Sequence, residues 1–115
     1  MCIRDSGGGT LTHIIERFTR VAMRPQFAAR MPKGFMHEIQ RFYYDVAQVA
    51  HPVPMAAMKA LYPLSQILFG TDYTFRTAAE ISEGLDTCHL SAKELRAIHR
   101  DNAARLFPQF AKLPA

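Results

Sequence analysis

The chain has 115 residues, 49% hydrophobic and 21% charged, with a formal charge of +4 and a pI near 9.4. That length suits one modest domain, and so apolar a composition excludes a chain disordered throughout. No apolar run approaches the roughly 20 residues that span a bilayer, and the Lys and Arg residues are spread along the chain, which argues against membrane and nucleic-acid partners.

Met1 to Ser6 show no periodicity and then meet Gly7-Gly8-Gly9 abruptly. Residues 1–6 therefore read as a non-native leader joined to a truncated reading frame, with a partial domain over 7–115. The glycines mark a tight turn or a close approach to a ligand, a device that normally follows a strand. Leu11, Ile14, Ile15, Phe18, Val21 and Ala22 then recur with helical spacing, which predicts an amphipathic helix from Thr10 to Met23 capped by Thr10 or Gly9. Arg17, Arg20 and Arg24 lie at helical spacing on what reads as its solvated face. Pro25 and Pro32 bracket a loop or short helical turn, Gly34 allows another turn, and Phe35 to Gln40 form a short helix or an irregular lead-in.

Arg41 to Ala47 are rich in aromatic and β-branched residues and read as a strand ending near Asp45. Pro52 and Pro54 start a helix over Met55, Met58, Leu61 and Tyr62, with Pro63 near its end. Ile67-Leu68-Phe69 read as a buried strand continuing to Thr71, and the following turn carries Asp72. Strand, helix and strand within about 30 residues make a βαβ unit with parallel strands. Thr77-x-x-Glu80 and Ser91-x-x-Glu94 are capping boxes, and Leu90 and Leu95 are placed to staple the second. The last helix presents Leu95, Ile98, Asn102 and Leu106 and ends at Pro108; Asp101 and Arg105 are spaced to pair along it.

These elements define an α/β chain with two to three parallel strands and covering helices. Parallel strands are normally paired on both sides and covered on both faces, so the sequence reads as part of a larger α/β fold. Catalytic groups gather at the C-terminal ends of parallel strands. An ionised Asp there needs a cation, a proton or several donors around it. Asp72 is therefore either a metal ligand or a helix-capping or turn-forming acid, and Asp45 either lines the same rim or accepts backbone N–H bonds in the next turn. Cys2 and Cys88 form no CxxC pair and imply no disulfide framework, which fits a reducing, cytoplasmic setting. His13, His37, His51, His89 and His99 each read as surface or capping residues.

Gly-Gly-Gly-Thr-Leu, Phe-Tyr-Tyr-Asp, Ile-Leu-Phe-Gly-Thr-Asp-Tyr-x-Phe and Asp-Asn-Ala-Ala-Arg-Leu-Phe follow one another in an order that resembles a known family. It is that of the amidohydrolase-related metal-dependent hydrolases, which include aminocarboxymuconate-semialdehyde decarboxylase and similar aromatic-acid decarboxylases. The resemblance covers nearly everything from Gly7 to Pro108, as the C-terminal part of a (β/α)8 barrel. It implies one divalent metal ion, usually zinc, at the barrel mouth, with Asp72 as a metal ligand and catalytic group and Phe75 walling the substrate pocket; it also strengthens the rim role of Asp45. It further implies that Asn102 bonds the loop after the last strand. In the family a histidine directly precedes the glycine run, and a His-x-His pair lies on the first strand. Ser6 stands in the former place, and no residue of the family's earlier strands is expected in this chain. A catalytic zinc wants about three protein ligands and a water, so Asp72 alone is not expected to hold it tightly.

The expected function is thus a metal-dependent hydrolase or decarboxylase of a small, aromatic or unsaturated carboxylic acid, inactive as this isolated piece. The alternative is a small non-catalytic α/β binding module. A third possibility is a homo-oligomer in which copies pair their open sheet edges.

Overall fold

The computed structural model describes residues 3–112; Met1 and Cys2 of the expected leader, and residues 113–115, lie outside them. Strand β1 (Ile3–Arg4) leads into a 3-10 segment, Ser6–Thr12. Helices α1 (Ile15–Ala22), α2 (Pro25–Ala28) and α3 (Phe35–Ile39) follow, then strand β2 (Tyr43–Asp45), helix α4 (Pro52–Leu61) and strand β3 (Ile67–Leu68). The remainder is helical: α5 (Ala78–Asp86), α6 (Ala92–Arg96), a π-helical turn over Ala97–Asp101, α7 (Asn102–Leu106) and a 3-10 turn at Pro108–Phe110.

The strands form one parallel sheet in the order β1-β2-β3. Tyr44 faces Arg4 on one side and Ile67 on the other, and Asp45 faces Leu68. The expected βαβ unit is therefore present, with β2 and β3 parallel. Residues of the expected leader supply the third strand. Both predicted strands are shorter than the sequence implied. Beyond Leu68 the backbone leaves the ladder, because the Phe69 N–H donates to the carbonyl of Ile98 at 3.0 Å.

The core lies between the sheet and helices α4 and α5. Tyr44, Val46, Met55, Met58, Tyr62, Ile67, Ile81, Leu85 and Ile98 are all buried there. Tyr44 stacks on Tyr62 with ring centroids 3.7 Å apart and donates its hydroxyl to the carbonyl of Ile39 at 2.7 Å. A stacked pair of this kind adds about 1 kcal/mol beyond its buried area. Burial, reinforced by the neighbouring Tyr62 phenol, pushes the Tyr44 hydroxyl well above its usual pKa. The glycine run presses against this pair. Gly8 has φ +84°, and a Cβ there would stand 3.0 Å from a ring carbon of Tyr44. Only glycine tolerates both that backbone and that contact.

The single helix expected over Thr10 to Met23 is divided. Gly7, Gly8 and Gly9 all take positive φ, Leu11 turns in towards the core, and a regular helix begins only after Ile14. Neither Thr10 nor Gly9 caps it; Ile14 holds the cap position without a side-chain bond. Ile14 and Phe18, assigned to the buried face, are each 42% exposed. A three-stranded sheet is too narrow to cover the whole apolar stripe.

Both capping boxes are formed. Thr77 Oγ1 accepts from the Glu80 N–H and Ser91 Oγ from that of Glu94, while each glutamate accepts in return from the backbone N–H of its cap residue at 2.8 Å. Lys59 adds an ion pair to Glu94 at 2.6 Å. The last helix departs from expectation. The π-helical turn rephases it, so Asp101 pairs with Arg96, five residues back, and not with Arg105. Arg105 donates to the carbonyl of Ser65 at 2.7 Å. Asn102 is 3% exposed and donates to the carbonyls of Leu64 and Ile67, both at 2.8 Å. It therefore fixes the entry and body of β3, not the loop after it as the resemblance implied. Among the described residues no helix is long and apolar enough to cross a membrane.

Replacing Asn102 by Ala removes the side-chain donor to the buried Ile67 carbonyl and one of two donors to the Leu64 carbonyl, which keeps the Ile67 N–H. The expected cost is roughly 1–3 kcal/mol, read as a fall in thermal midpoint, with the β3 amides losing hydrogen-exchange protection first. Glu94 gives a pH prediction. Its bond from Lys59 and those from Ser91 lower its pKa from 4.5 to about 2. The stability it contributes is complete above pH 4.5 and is lost as pH falls through about 2. A Lys59→Met, Ser91→Ala double variant should flatten the acid limb of the stability curve between those values.

Candidate functional site

Each strand delivers a carboxylate to the same end of the sheet. Asp5 follows β1, Asp45 closes β2, and Asp72 lies in the loop after β3. The sequence reading identified the second and third; Asp5 fell within the supposed leader. Its only signal was a position directly before Ser6 and the glycine run.

Asp45 is the half-buried member. Its Oδ1 accepts from the backbone N–H of Ser6 at 3.0 Å and from that of Ala47 at 3.1 Å. It is therefore both a turn acid, through Ala47, and a clasp that binds the exit of β1 to the exit of β2. The exit of β3 packs against it from the other side: a Cβ on Gly70 would lie 2.7 Å from the Cβ of Asp45, so no side chain fits there. Burial pushes the Asp45 carboxyl above the ordinary carboxylate value. The two N–H groups oppose that shift, and the negative charges of Asp5 and Asp72 add to it.

Asp72 is exposed and sits in left-handed backbone at φ +55°. Its carbonyl accepts from the Phe75 N–H at 2.8 Å, which closes a turn. Its side-chain Oδ2 accepts from Gln48 Nε2 at 3.3 Å, and Gln48 Oε1 accepts in turn from Arg76 Nε at 3.4 Å. Gln48 and Arg76 are polar rim residues that the sequence reading passed over. Phe75 and its neighbour Tyr73 are each 80% exposed, so two aromatic faces stand uncovered beside Asp72.

The histidines are scattered. His51 caps α4, its Nδ1 accepting from the Val53 N–H at 3.4 Å. His99 stacks on Phe69 with centroids 4.9 Å apart, and His13 bonds Thr12 at 3.1 Å. His37 lies within α3 and His89 precedes the cap of α6. None is brought to Asp72. Among the described residues no three His, Cys, Asp or Glu side chains are grouped to hold a metal ion. Asp72 has the chemistry of a single oxygen ligand for a divalent cation, and these residues do not complete a donor set around it. Cys88, two residues past the end of α5, is half-buried, with its thiol donating to the carbonyl of Gly84 at 3.2 Å and its pKa raised by burial.

The Asp45 environment can be tested by substitution. A carboxylate whose folded pKa is raised costs stability once it ionises; its favourable contribution is present below pH 3.8 and is lost as pH rises through the folded value. Asp45→Asn keeps an acceptor for the two N–H groups without the charge, so its thermal midpoint at pH 7 should equal or exceed the parent's. That advantage should close as pH falls through the titration of Asp45. Asp45→Ala removes the acceptor and should lose roughly 1–3 kcal/mol.

Known proteins share the fold that carries these residues. The sequence model of the amidohydrolase family matches residues 6–109. Decarboxylase yanB of Aspergillus niger is 24% identical over 120 residues, a match that takes in 98% of this chain and 32% of that protein. The structure of 2,6-dihydroxybenzoate decarboxylase from Rhizobium superposes with a TM-score of 0.78 at 21% identity, covering 93% of this chain and 34% of the other. A dihydroxybenzoic acid decarboxylase from Polaromonas sp. JS666, solved with bound manganese and the inhibitor 2-nitroresorcinol, gives a TM-score of 0.74 at 18% identity. That superposition covers 96% of this chain and 34% of the other. The chain thus spans about a third of the length of these relatives. Its parallel strands and covering helices are part of the barrel those enzymes share. With nearly its whole length matched by the family's sequence pattern, the chain belongs to the amidohydrolase family.

Proposed function

We propose that the chain is the C-terminal segment of a metal-dependent decarboxylase or hydrolase that acts on a small aromatic or unsaturated carboxylic acid, and that it does not turn over substrate on its own. The observation that carries this is the placement of Asp72 at the C-terminal rim of a parallel sheet, beside Asp45 and two uncovered aromatic rings. Barrel enzymes of this type place their chemistry at that rim. Decarboxylation is favoured over hydrolysis of a C–N or C–O bond by the decarboxylases among the relatives.

The roles follow from the residues. Asp72 lends one carboxylate oxygen to a divalent cation or takes a proton at that oxygen. The cation, when bound, polarises an oxygen of the substrate; an all-oxygen ligand suits manganese, the metal in the Polaromonas structure, as well as zinc. Asp45 sets the spacing of the strand ends and so the position of the loop that carries Asp72. Phe75 and Tyr73 offer flat apolar faces to an unsaturated or aromatic ring. Inactivity of the isolated chain follows from the ligand count, since a catalytic site of this kind draws on about three protein ligands.

A chimera tests the assignment. The matched third of the Rhizobium decarboxylase is replaced by residues 6–109 of this chain, folding is checked by circular dichroism, and CO2 release from 2,6-dihydroxybenzoate is measured. Release is expected in the chimera and not in the 115-residue chain, with a loss on the order of a hundredfold or more on Asp72→Ala. A folded, active chimera indifferent to Asp72→Ala would remove the role given to that residue. Metal-dependent turnover by the 115-residue chain, abolished by the same change, would contradict its inactivity.

A further inference from the structure

We propose that Gln48 is the positioning residue for Asp72, and that Arg76 holds Gln48 in the orientation this requires. Gln48 occupies the loop after β2 in left-handed backbone at φ +59°. Glycine or asparagine meets that conformation at least cost. An asparagine or aspartate would also bond its own turn, whereas a glutamine side chain is too long for that local exchange. The Gln48 side chain instead crosses to Asp72, 24 residues further along, where its Nε2 donates to Oδ2 at 3.3 Å. Asp72 is itself held at φ +55°. Two strained residues on successive strand exits therefore meet through their side chains, and strain of this kind persists where the surroundings enforce it.

The neighbours of the Gln48 amide settle which way it faces. Arg76 Nε can only donate, and it does so to Oε1 at 3.4 Å. The NH2 group must then face the carboxylate, which can only accept when ionised. Among the described residues the arrangement occupies Asp72 Oδ2, gives Oδ1 no hydrogen bond, and turns the carboxylate by one fixed contact. It also keeps the guanidinium one residue removed: Arg76 forms its ion pair with Glu80, at 3.9 Å, and not with Asp72. A neutral amide between the two orients the acid without neutralising it. The value of that orientation rests on the role proposed above for Asp72, that of an oxygen ligand; the orientation itself does not.

The test reads the Asp72 side chain directly in the 115-residue chain. Three-bond couplings to the Asp72 carboxyl carbon report its χ1 rotamer by NMR. The parent should show the couplings of one rotamer. Gln48→Met, which keeps length and loses both hydrogen bonds, should average them, and Arg76→Leu should do so in part. Gln48→Gly relieves the backbone and also removes the side chain. It should melt at or above the parent temperature while Asp72 becomes averaged, an opposition that a merely structural residue would not produce. Unchanged Asp72 couplings in both Gln48 variants, or couplings already averaged in the parent, would overturn the proposal. The two ideas fail separately: couplings that respond to Gln48, in a chain whose chimera tolerates Asp72→Ala, keep the positioning and end the ligand role.

Discussion

One carboxylate oxygen ties two strand ends together, and the third packs against the same side chain. Asp45 Oδ1 receives the N–H of Ser6 from the exit of β1 and that of Ala47 from the exit of β2, and Gly70 brings the exit of β3 into contact with the same side chain. The strands are only two or three residues long, so the ladder contributes few hydrogen bonds, and the clasp at its end carries a large part of the alignment. Two N–H donors to a half-buried carboxylate are charge-assisted bonds, each stronger than a neutral one. They hold the acid in place against the burial and the neighbouring negative charges that disfavour its ionisation. The loop bearing Asp72 begins at Gly70, so the position of the proposed ligand depends on this contact.

Below the rim the same strands are fixed by shape. The Tyr44 ring fills the space between the glycine run and Tyr62, and Met58 reaches under Gly7. The remaining face is less complete. Ile14, Phe18, Met23 and Phe27 present apolar surface to solvent along α1 and α2. In a closed barrel the outer helices pack on a sheet of eight strands. Three strands supply too little surface for the stripe that the sequence encodes, in keeping with a chain that spans about a third of its relatives. The apolar pattern of α1 thus records a larger assembly than the one its own sheet provides.

Local chemistry was the most legible part of the sequence. Thr77 with Glu80 and Ser91 with Glu94 form reciprocal boxes because every group involved lies within one helical turn. Pro52 starts α4 because a proline at the first turn sacrifices no hydrogen bond. The parallel pairing of Tyr44 with Ile67 followed from the helix between them. What spacing could not show were contacts set by a change of helical phase or by long-range placement. Asp101 and Arg105 stand four apart in sequence, yet the π-helical turn pairs Asp101 with Arg96. Asn102 reaches back past the strand it serves to Leu64. Gln48 and Arg76 carry no sequence motif, because their relation exists only once two loops lie side by side.

The backbone itself marks the rim. Four described residues other than glycine have positive φ: Ser6, Gln48, Asp72 and His89. The first three follow β1, β2 and β3 respectively, one at each strand exit. A conformation that costs of order 1 kcal/mol or more at each such residue is not expected to recur by accident at three successive corresponding places. Each turn bends the chain out of the ladder within a few residues, and each is tied by a polar contact across the rim or to its neighbour. Ser6 gives its N–H to Asp45, Gln48 gives its amide to Asp72, and Asp72 receives it. Stability is thus lowered where the strands end so that polar side chains from distant parts of the sequence converge there. That convergence requires rigid surroundings, which the Asp45 clasp supplies from one side and the Tyr44–Tyr62 stack from below.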